Sequence, residues 1–182
     1  MSVYKLPSSL TVDGAEYAIK SDFRAVLGIF EMLEDEELTD YEKSVCVIKM
    51  LYEVVPNDSN EALKQAYIFI NGGQENVQSG RRKDYGRLFS WKQDILYIFS
   101  AVDNVLGFSS RSREYLQWWD WLSAFMAIGD CTFANIVHMR KLKKQGKLTK
   151  EEQKMWAEDP DTYELKDESF DEINDFLNSL NE

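Results

Sequence analysis

The sequence predicts a mainly α-helical domain of about six to seven helices, with a small β-hairpin at its N-terminus. Three observations support this fold class. Apolar residues recur at spacings of three and four through most of the chain, capping residues precede several of these segments, and an Asp-Gly pair separates two short alternating stretches. The chain has 182 residues, of which 44% are hydrophobic, so it can bury the core of one folded domain.

Residues 3–19 are predicted to form the hairpin. The stretch LTVDGAEYAI alternates apolar and polar side chains around Asp13-Gly14, and Asp-Gly favours the two-residue turn that joins paired strands. Because an isolated two-stranded hairpin is only marginally stable, we expect this one to pack on the helices or to pair with the edge of another chain.

Capping residues open the first two predicted helices. Ser21 precedes a segment of helical periodicity, and a serine hydroxyl is a favourable N-cap acceptor. The apolar residues of this segment are Phe23, Val26, Leu27, Phe30 and Leu33. Thr39 and Glu42 form a capping box that opens the second helix, which stops before Pro56.

A third helix leads into a predicted loop. Asp58 with Glu61 repeats the capping device, and this helix ends at Asn71-Gly72-Gly73. Residues 72–83 contain three glycines and almost no apolar side chains. This composition is typical of a flexible loop.

Four more helices are predicted in the second half of the chain. The first is capped by Ser90 and stops at Gly107, and the second covers residues 112–128 before Gly129. A third starts at Thr132 and carries its basic residues in the last turns, where the helix dipole favours them. The fourth is opened by a capping box of Thr149 with Glu152 and is short.

The predicted organisation has three parts. A β-hairpin at 1–20 packs on a helical domain at 21–157, which contains the flexible loop near 72–83, and an acidic C-terminal tail follows at 158–182. Apolar residues in the tail form a weak amphipathic stripe. They are Phe170, Ile173, Phe176, Leu177 and Leu180.

The stretch REYLQWWDWLSAFMAIGD has three tryptophans within four positions. On a helical wheel that starts at Tyr115, its apolar side chains cover an arc of about 160°, which is typical of a central core helix. Trp118 and Trp119 are predicted to be buried, whereas Trp121, at the edge of the arc, is the one predicted to face a partner. The alternatives are a partner-binding groove and a small-ligand pocket. A membrane anchor is disfavoured, since the polar face carries neither Lys nor Arg.

The formal net charge of −11 disfavours a nucleic-acid-binding protein, which needs a positive surface. The longest candidate for a local basic patch is HMRKLKKQGKLTK, which is bordered by acidic sequence. The N-terminus lacks the pattern of a signal peptide, and the sequence has no uninterrupted apolar run of about 18 residues. We therefore expect a cytoplasmic protein without nucleic-acid or membrane partners.

The residues that carry most enzyme chemistry are scarce. His138 is the only histidine, and its place beside Met139 and Arg140 is typical of a surface position. Cys46 and Cys131 are interpreted as reduced thiols in apolar surroundings. The chain has no glycine-rich phosphate-binding motif. The sequence therefore favours a protein that is not an enzyme, and it predicts no catalytic residue, no cofactor and no metal site.

The second half of the chain resembles the bacteriophage gene-product-fifteen family, which is encoded among the tail morphogenesis genes of long-tailed phages. The resemblance rests on FSWKQDILYIFSAVDNVLG, on REYLQWWDWLSAFMAIGDCTFANIVHMR and on the Lys-rich turn that follows. Its specific part is the tandem Trp118-Trp119 followed by another aromatic residue. Gln117 and Asp120 depart from the family pattern, in which we expect a histidine or a basic residue beside the tandem.

The resemblance implies a phage or prophage protein that acts in the cytoplasm of the bacterial host as a tail assembly chaperone. Its partner would be the tape measure protein, bound non-covalently, and we expect the chaperone to form a homo-oligomer. The residues predicted to bind a partner are Trp121, Phe170, Ile173, Phe176 and Leu177. One alternative is a structural tail component that is retained in the virion. Another is a small-molecule enzyme or sensor with an aromatic pocket near Trp121.

Overall fold

The computed structural model describes residues 5–74 and 85–166, which are mainly helical with one two-stranded sheet. The predicted fold class is confirmed. In chain order the elements are β1 (Ser9–Val12), β2 (Ala15–Ala18), α1 (Phe23–Glu34), α2 (Asp40–Leu51), α3 (Ser59–Ile70), α4 (Ile95–Leu106), a short 3-10 helix (Ser110–Ser112), α5 (Trp118–Met126), α6 (Thr132–Gln145), α7 (Lys150–Glu158) and α8 (Pro160–Tyr163).

The N-terminal hairpin has the predicted turn. β1 and β2 are antiparallel, with Val12 opposite Ala15, and the two turn residues have positive φ angles of 48° at Asp13 and 76° at Gly14. A turn with two positive φ angles has the twist that suits a two-residue hairpin. Leu10 and Val12 are each 1% exposed, since this face of β1 packs towards α3.

The chain after β2 also pairs with the end of α2. The Lys20 N–H donates to the Leu51 carbonyl at 2.8 Å, and the Glu53 N–H donates to the Ala18 carbonyl at 3.0 Å. These hydrogen bonds extend the hairpin edge onto the helical part of the fold. The hairpin is therefore held by contacts on two sides, as its marginal intrinsic stability requires.

The N-cap of α1 is Asp22, so the prediction that Ser21 caps this helix is wrong by one residue. The Asp22 carboxylate accepts from the Arg24 N–H at 3.0 Å. Ser21 is instead buried, and its hydroxyl shares a 2.8 Å hydrogen bond with the Tyr115 hydroxyl. The sequence allows both residues as caps, and the tertiary contact of Ser21 decides between them.

Two of the three predicted capping boxes are confirmed, those of Thr39 with Glu42 and of Thr149 with Glu152. The third is half formed. Asp58 accepts from the N–H groups at the start of α3, but the Glu61 carboxylate accepts from Gln65 and from a lysine one turn ahead. These hydrogen bonds hold the pKa of Glu61 below its ordinary value.

The Thr39 capping box makes a testable contribution to the pH dependence of stability. The Thr39 hydroxyl and then its backbone N–H donate to the Glu42 carboxylate, at 2.7 Å and 2.9 Å, and lower the pKa of Glu42. Its folded-state pKa lies below the unfolded value, so this stabilisation is present above the unfolded pKa and is lost as the pH falls through the folded pKa. Glu42→Gln and Thr39→Val should therefore flatten the loss of thermal stability on acidification, measured by circular dichroism melting.

Thr39→Ser is the matched control for this prediction, because it keeps the hydroxyl and should keep the wild-type slope. A wild-type slope in Glu42→Gln would contradict the assignment.

Two helices in the second half start later than predicted. Ser90 caps the turn at 91–94, where its hydroxyl accepts from the N–H groups of Lys92 and Gln93, and α4 begins only at Ile95. The helix predicted from residue 112 begins at Trp118, with Gln117 as its N-cap. The predicted end of α4 at Gly107, which has a φ of 73°, agrees with the observed C-cap.

The late start of α5 has a tertiary cause. Residues 116–118 form a β-bridge with residues 21–23, in which the Phe23 N–H donates to the Leu116 carbonyl at 3.0 Å and the Trp118 N–H donates to the Ser21 carbonyl at 2.8 Å. The Leu116 N–H donates to the Asp22 carboxylate at 3.0 Å. Because the N–H and the carbonyl of Leu116 are both used in these contacts, they are not available for hydrogen bonds within a helix, and α5 does not extend back through this residue.

The helical domain was predicted to end at residue 157, but the described residues after this position still pack on its helices. The short helix α8 lies against α6, and residues 162 and 163 accept hydrogen bonds from Arg140. Residues 160–166, which were predicted to belong to the acidic tail, therefore pack on the helices. Most of the predicted loop at 72–83 and the tail from 167 onwards lie outside the described residues.

The core is centred on α5, which packs against α1 on one side and α4 on the other. Phe23, Ile98, Trp118 and Trp121 are all 0% exposed. The interpretation of the tryptophan-rich stretch as a core helix agrees with this burial. In the described part of the chain, no helix has the length and apolar character needed to cross a membrane.

Candidate functional site

The tandem tryptophans cap the C-terminal end of α3. The Trp118 indole N–H donates to the Ile70 carbonyl at 2.9 Å, and the Trp119 indole N–H donates to the Phe69 carbonyl at 2.8 Å. The last carbonyls of a helix lack partners within the helix, so the Trp118 indole supplies a donor to the buried Ile70 carbonyl. The Phe69 carbonyl accepts both from the Trp119 indole and from the Gly72 N–H. This role could not be inferred from the sequence, because about 50 residues separate donors from acceptors.

Trp121 is fully buried, so the prediction that it faces a partner is wrong. Its exposed fraction is 0%, the same as that of Trp118. Its ring stacks on Phe23 of α1 at a centroid distance of 5.7 Å and on Trp118 at 5.5 Å, and it meets Phe99 of α4 edge-on at 6.4 Å. The edge of the apolar arc is covered because helices lie on both sides of α5. A helical wheel drawn for one helix does not show its neighbours.

The Trp121 indole N–H has no hydrogen-bond partner among the described residues. An unpaired buried donor is unfavourable, and here it lies within a stack of aromatic rings from α1, α4 and α5. The other predicted partner-binding residues, Phe170, Ile173, Phe176 and Leu177, lie outside the described residues.

A buried ion pair joins α4, α6 and α8. Arg140 and Asp94 are 2% and 1% exposed, and two guanidinium nitrogens of Arg140 donate to the two carboxylate oxygens at 2.6 Å and 3.0 Å. The guanidinium also donates to the carbonyls of Tyr163, Thr162 and Leu88. A paired and fully hydrogen-bonded arginine is the form in which this charge can be buried, so the arrangement fixes the positions of three elements.

In the sequence, Arg140 is one of several basic residues in the last turns of a predicted helix, and no local motif singles out Asp94. The two residues are 46 positions apart. The only local signal for the buried pair is that Asp94 has apolar neighbours in a segment predicted to be a core helix. A carboxylate in such a segment needs a cationic partner.

A half-open groove lies between α4 and the start of α6, and we call it the α4–α6 groove. Its volume is about 640 Å³. Tyr97, Ser100, Ala101 and Asn104 form one face of α4 along the groove, and Phe133 closes it from α6. Leu96, one turn before Ser100, is 69% exposed. The groove therefore combines apolar and polar side chains along a helical face, as surfaces that accept a partner helix do.

A second concavity, the α6–α8 cleft, has a different character. Its volume is about 350 Å³, and it is lined by Arg87, Arg140, Lys143, Lys144, Trp156, Tyr163, Glu164 and Leu165. The Glu164 carboxylate accepts from the Trp156 indole N–H at 3.3 Å. The Trp156 and Tyr163 rings stack at 5.5 Å, and the Lys143 ammonium lies 4.9 Å from the Trp156 ring centre. The cleft is therefore cationic and aromatic in a protein whose overall charge is strongly negative.

The remaining residues of chemical interest lie apart from one another. His138 is exposed on α6, Cys131 is the N-cap of the same helix, and Cys46 lies half-buried on α2. Across residues 5–74 and 85–166, no group of three or more His, Cys, Asp or Glu side chains is placed to hold a metal ion. The described geometry thus contains surfaces suited to binding, namely the groove and the cleft.

Comparison with known proteins gives one match. Neither the curated proteins nor the solved structures contain a match to this chain. The model of the family described as Bacteriophage Gp15 protein matches residues 3–165, nearly the whole chain. This range includes the hairpin, the tandem tryptophans and every described helix. The chain therefore belongs to the bacteriophage Gp15 family.

Proposed function

We propose that this phage protein is a tail assembly chaperone that binds the tape measure protein non-covalently in the cytoplasm of the bacterial host. The observation that carries the proposal is the α4–α6 groove. A tape measure protein is expected to be long and helical, and an amphipathic helix binds through side chains repeated at three- and four-residue spacing. Tyr97, Ser100, Ala101 and Asn104 have this spacing on the receiving helix.

Exposed apolar side chains on α4, the helix that forms one wall of the groove, support the same proposal. Leu96 and Val105, on α4, are 69% and 41% exposed. Apolar side chains that remain exposed beside a concave surface often mark a binding site. A client helix would cover them, and the chaperone would act by shielding its client rather than by covalent chemistry.

The negative charge of the protein is suited to this role. The net charge of −11 keeps a complex with an apolar client dispersed through mutual repulsion. Acidic proteins also bind fewer unintended partners such as nucleic acids. The charge thus supports a soluble holding function for which the groove provides the contact.

Co-expression with fragments of the tape measure protein of the same phage tests the proposal. We expect the protein to raise the soluble fraction of at least one fragment and to co-purify with it. Ser100→Trp, which fills the groove, should abolish both effects. Ser123→Trp places the same side chain at another exposed helical serine, on α5, and should leave both effects intact.

Two outcomes would contradict the proposal, one for the chaperone role and one for the place where the client binds. Equal insolubility of every fragment with and without the protein would overturn the chaperone role. Solubilisation that survives Ser100→Trp would place the client elsewhere. Mass spectrometry of purified particles distinguishes the alternative function, since a retained tail component would be stoichiometric there and a chaperone would be absent or present in traces.

A further inference from the structure

The α6–α8 cleft lies in the most basic part of the chain. Residues 140–150 have the sequence RKLKKQGKLTK, which holds six cations and no carboxylate. Arg140 is committed to Asp94, whereas Lys143 is exposed at the cleft. Lys144 is also exposed there, and its ammonium donates to the carbonyls of Tyr85 and Arg87. A concave surface with cations and two aromatic rings favours a ligand that combines negative charge with an apolar or aromatic group.

The described chain ends at the edge of this cleft. The Lys166 N–H donates to the Gln93 side-chain oxygen at 3.1 Å, and its carbonyl accepts from the Arg87 guanidinium at 3.3 Å. The Gln93 amide also donates to the Glu164 carbonyl at 2.7 Å. Since Arg87 and Leu165 line the cleft, the residues after Lys166 start beside it.

The sequence that follows has the matching chemistry. Residues 167–182 read DESFDEINDFLNSLNE, with six carboxylates and no cation. Phe170 is the first aromatic residue after Lys166, and two carboxylates stand on each side of it. Four residues can span at most about 14 Å, a distance that keeps Phe170 within reach of the cleft.

We propose that the acidic segment 167–172 docks into the α6–α8 cleft of its own chain. Phe170 contacts the stacked Trp156 and Tyr163 rings, and the neighbouring carboxylates face Lys143 and Lys144. The contact is intramolecular because the segment begins at the edge of the cleft, which gives it a high effective concentration there. The cleft is thus a binding site for the acidic tail, separate from the α4–α6 groove.

Nuclear magnetic resonance of the full-length protein tests the proposal through the indole N–H signal of Trp156. Phe170→Ala should shift this signal and leave the signals of Trp118, Trp119 and Trp121 in place. Phe176→Ala, the same substitution six residues further along the tail, is the matched control and should leave the Trp156 signal unchanged. High salt should move the wild-type signal towards its position in Phe170→Ala, since it screens exposed charges.

Each other outcome overturns the proposal. An unchanged Trp156 signal in Phe170→Ala, or equal shifts in both variants, would remove Phe170 from the cleft. A wild-type signal that moves towards the Phe170→Ala position on dilution would identify the tail of a second copy as the occupant. None of these results depends on a client, so they are independent of the chaperone experiment.

Discussion

Replacing Trp121 with alanine is expected to destabilise the protein by about 3–5 kcal/mol, the cost of removing a large aromatic side chain from a packed core. The side chain is 0% exposed and contacts rings from α1 and α4 as well as its own helix. The loss therefore affects three helices at once. Urea unfolding followed by far-ultraviolet circular dichroism measures the change in the free energy of unfolding.

Phenylalanine substitutions at Trp118 and Trp121 separate packing from hydrogen bonding. Both side chains are 0% exposed and lose the same atoms, but only the Trp118 N–H has a partner, the Ile70 carbonyl. Trp118→Phe leaves that carbonyl unpaired and should cost about 1–3 kcal/mol more than Trp121→Phe. If Trp121→Phe proves equally or more costly, the indole cap on α3 does not contribute to stability.

Replacing Asp94 with alanine is expected to cost about 3–5 kcal/mol, because it leaves the buried Arg140 charge without its partner. The guanidinium keeps its three backbone acceptors, but these do not neutralise it. Chemical denaturation should give a lower midpoint. We expect α8 to lose protection in hydrogen exchange first, since its Thr162 and Tyr163 carbonyls both accept from the same guanidinium.

The control for this prediction is an ion pair that is exposed on the surface. Lys154 and Glu158 are 3.6 Å apart with side chains 78% and 64% exposed, and Lys154→Met should cost less than about 1 kcal/mol. The double variant Asp94→Leu with Arg140→Met should be more stable than Asp94→Ala, because it buries no charge. A double variant as unstable as the single one would indicate that the carbonyl contacts of Arg140 dominate.

The features that the sequence predicted correctly depend on neighbouring residues. The Asp13-Gly14 turn, the capping boxes at Thr39 and Thr149 and the glycine at the end of α4 each need only a few adjacent positions. Such signals are local in physical origin. For the same reason, the boundaries that they mark agree with the structure to within a residue or two.

The features that the sequence failed to predict depend on distant partners. The start of α5 is set by a bridge to residues 21–23, and the exposure of Trp121 is set by α1 and α4. The Arg140–Asp94 pair likewise joins separate helices. Neither concave surface was predicted: HMRKLKKQGKLTK was only a candidate for a local basic patch, and both the α6–α8 cleft and the α4–α6 groove arise from the packing of separate elements.

The bridge between residues 21–23 and residues 116–118 also sets an order of events during synthesis of the chain. Asp22 and Leu116, whose N–H donates to the Asp22 carboxylate, are 94 residues apart, a stretch that a ribosome adds in roughly 5–20 s. Until residue 118 has left the ribosome, the start of α1 lacks its bridge and the Trp121 ring that covers Phe23 has not emerged. The start of α1 therefore completes its packing only after about two thirds of the protein has been translated.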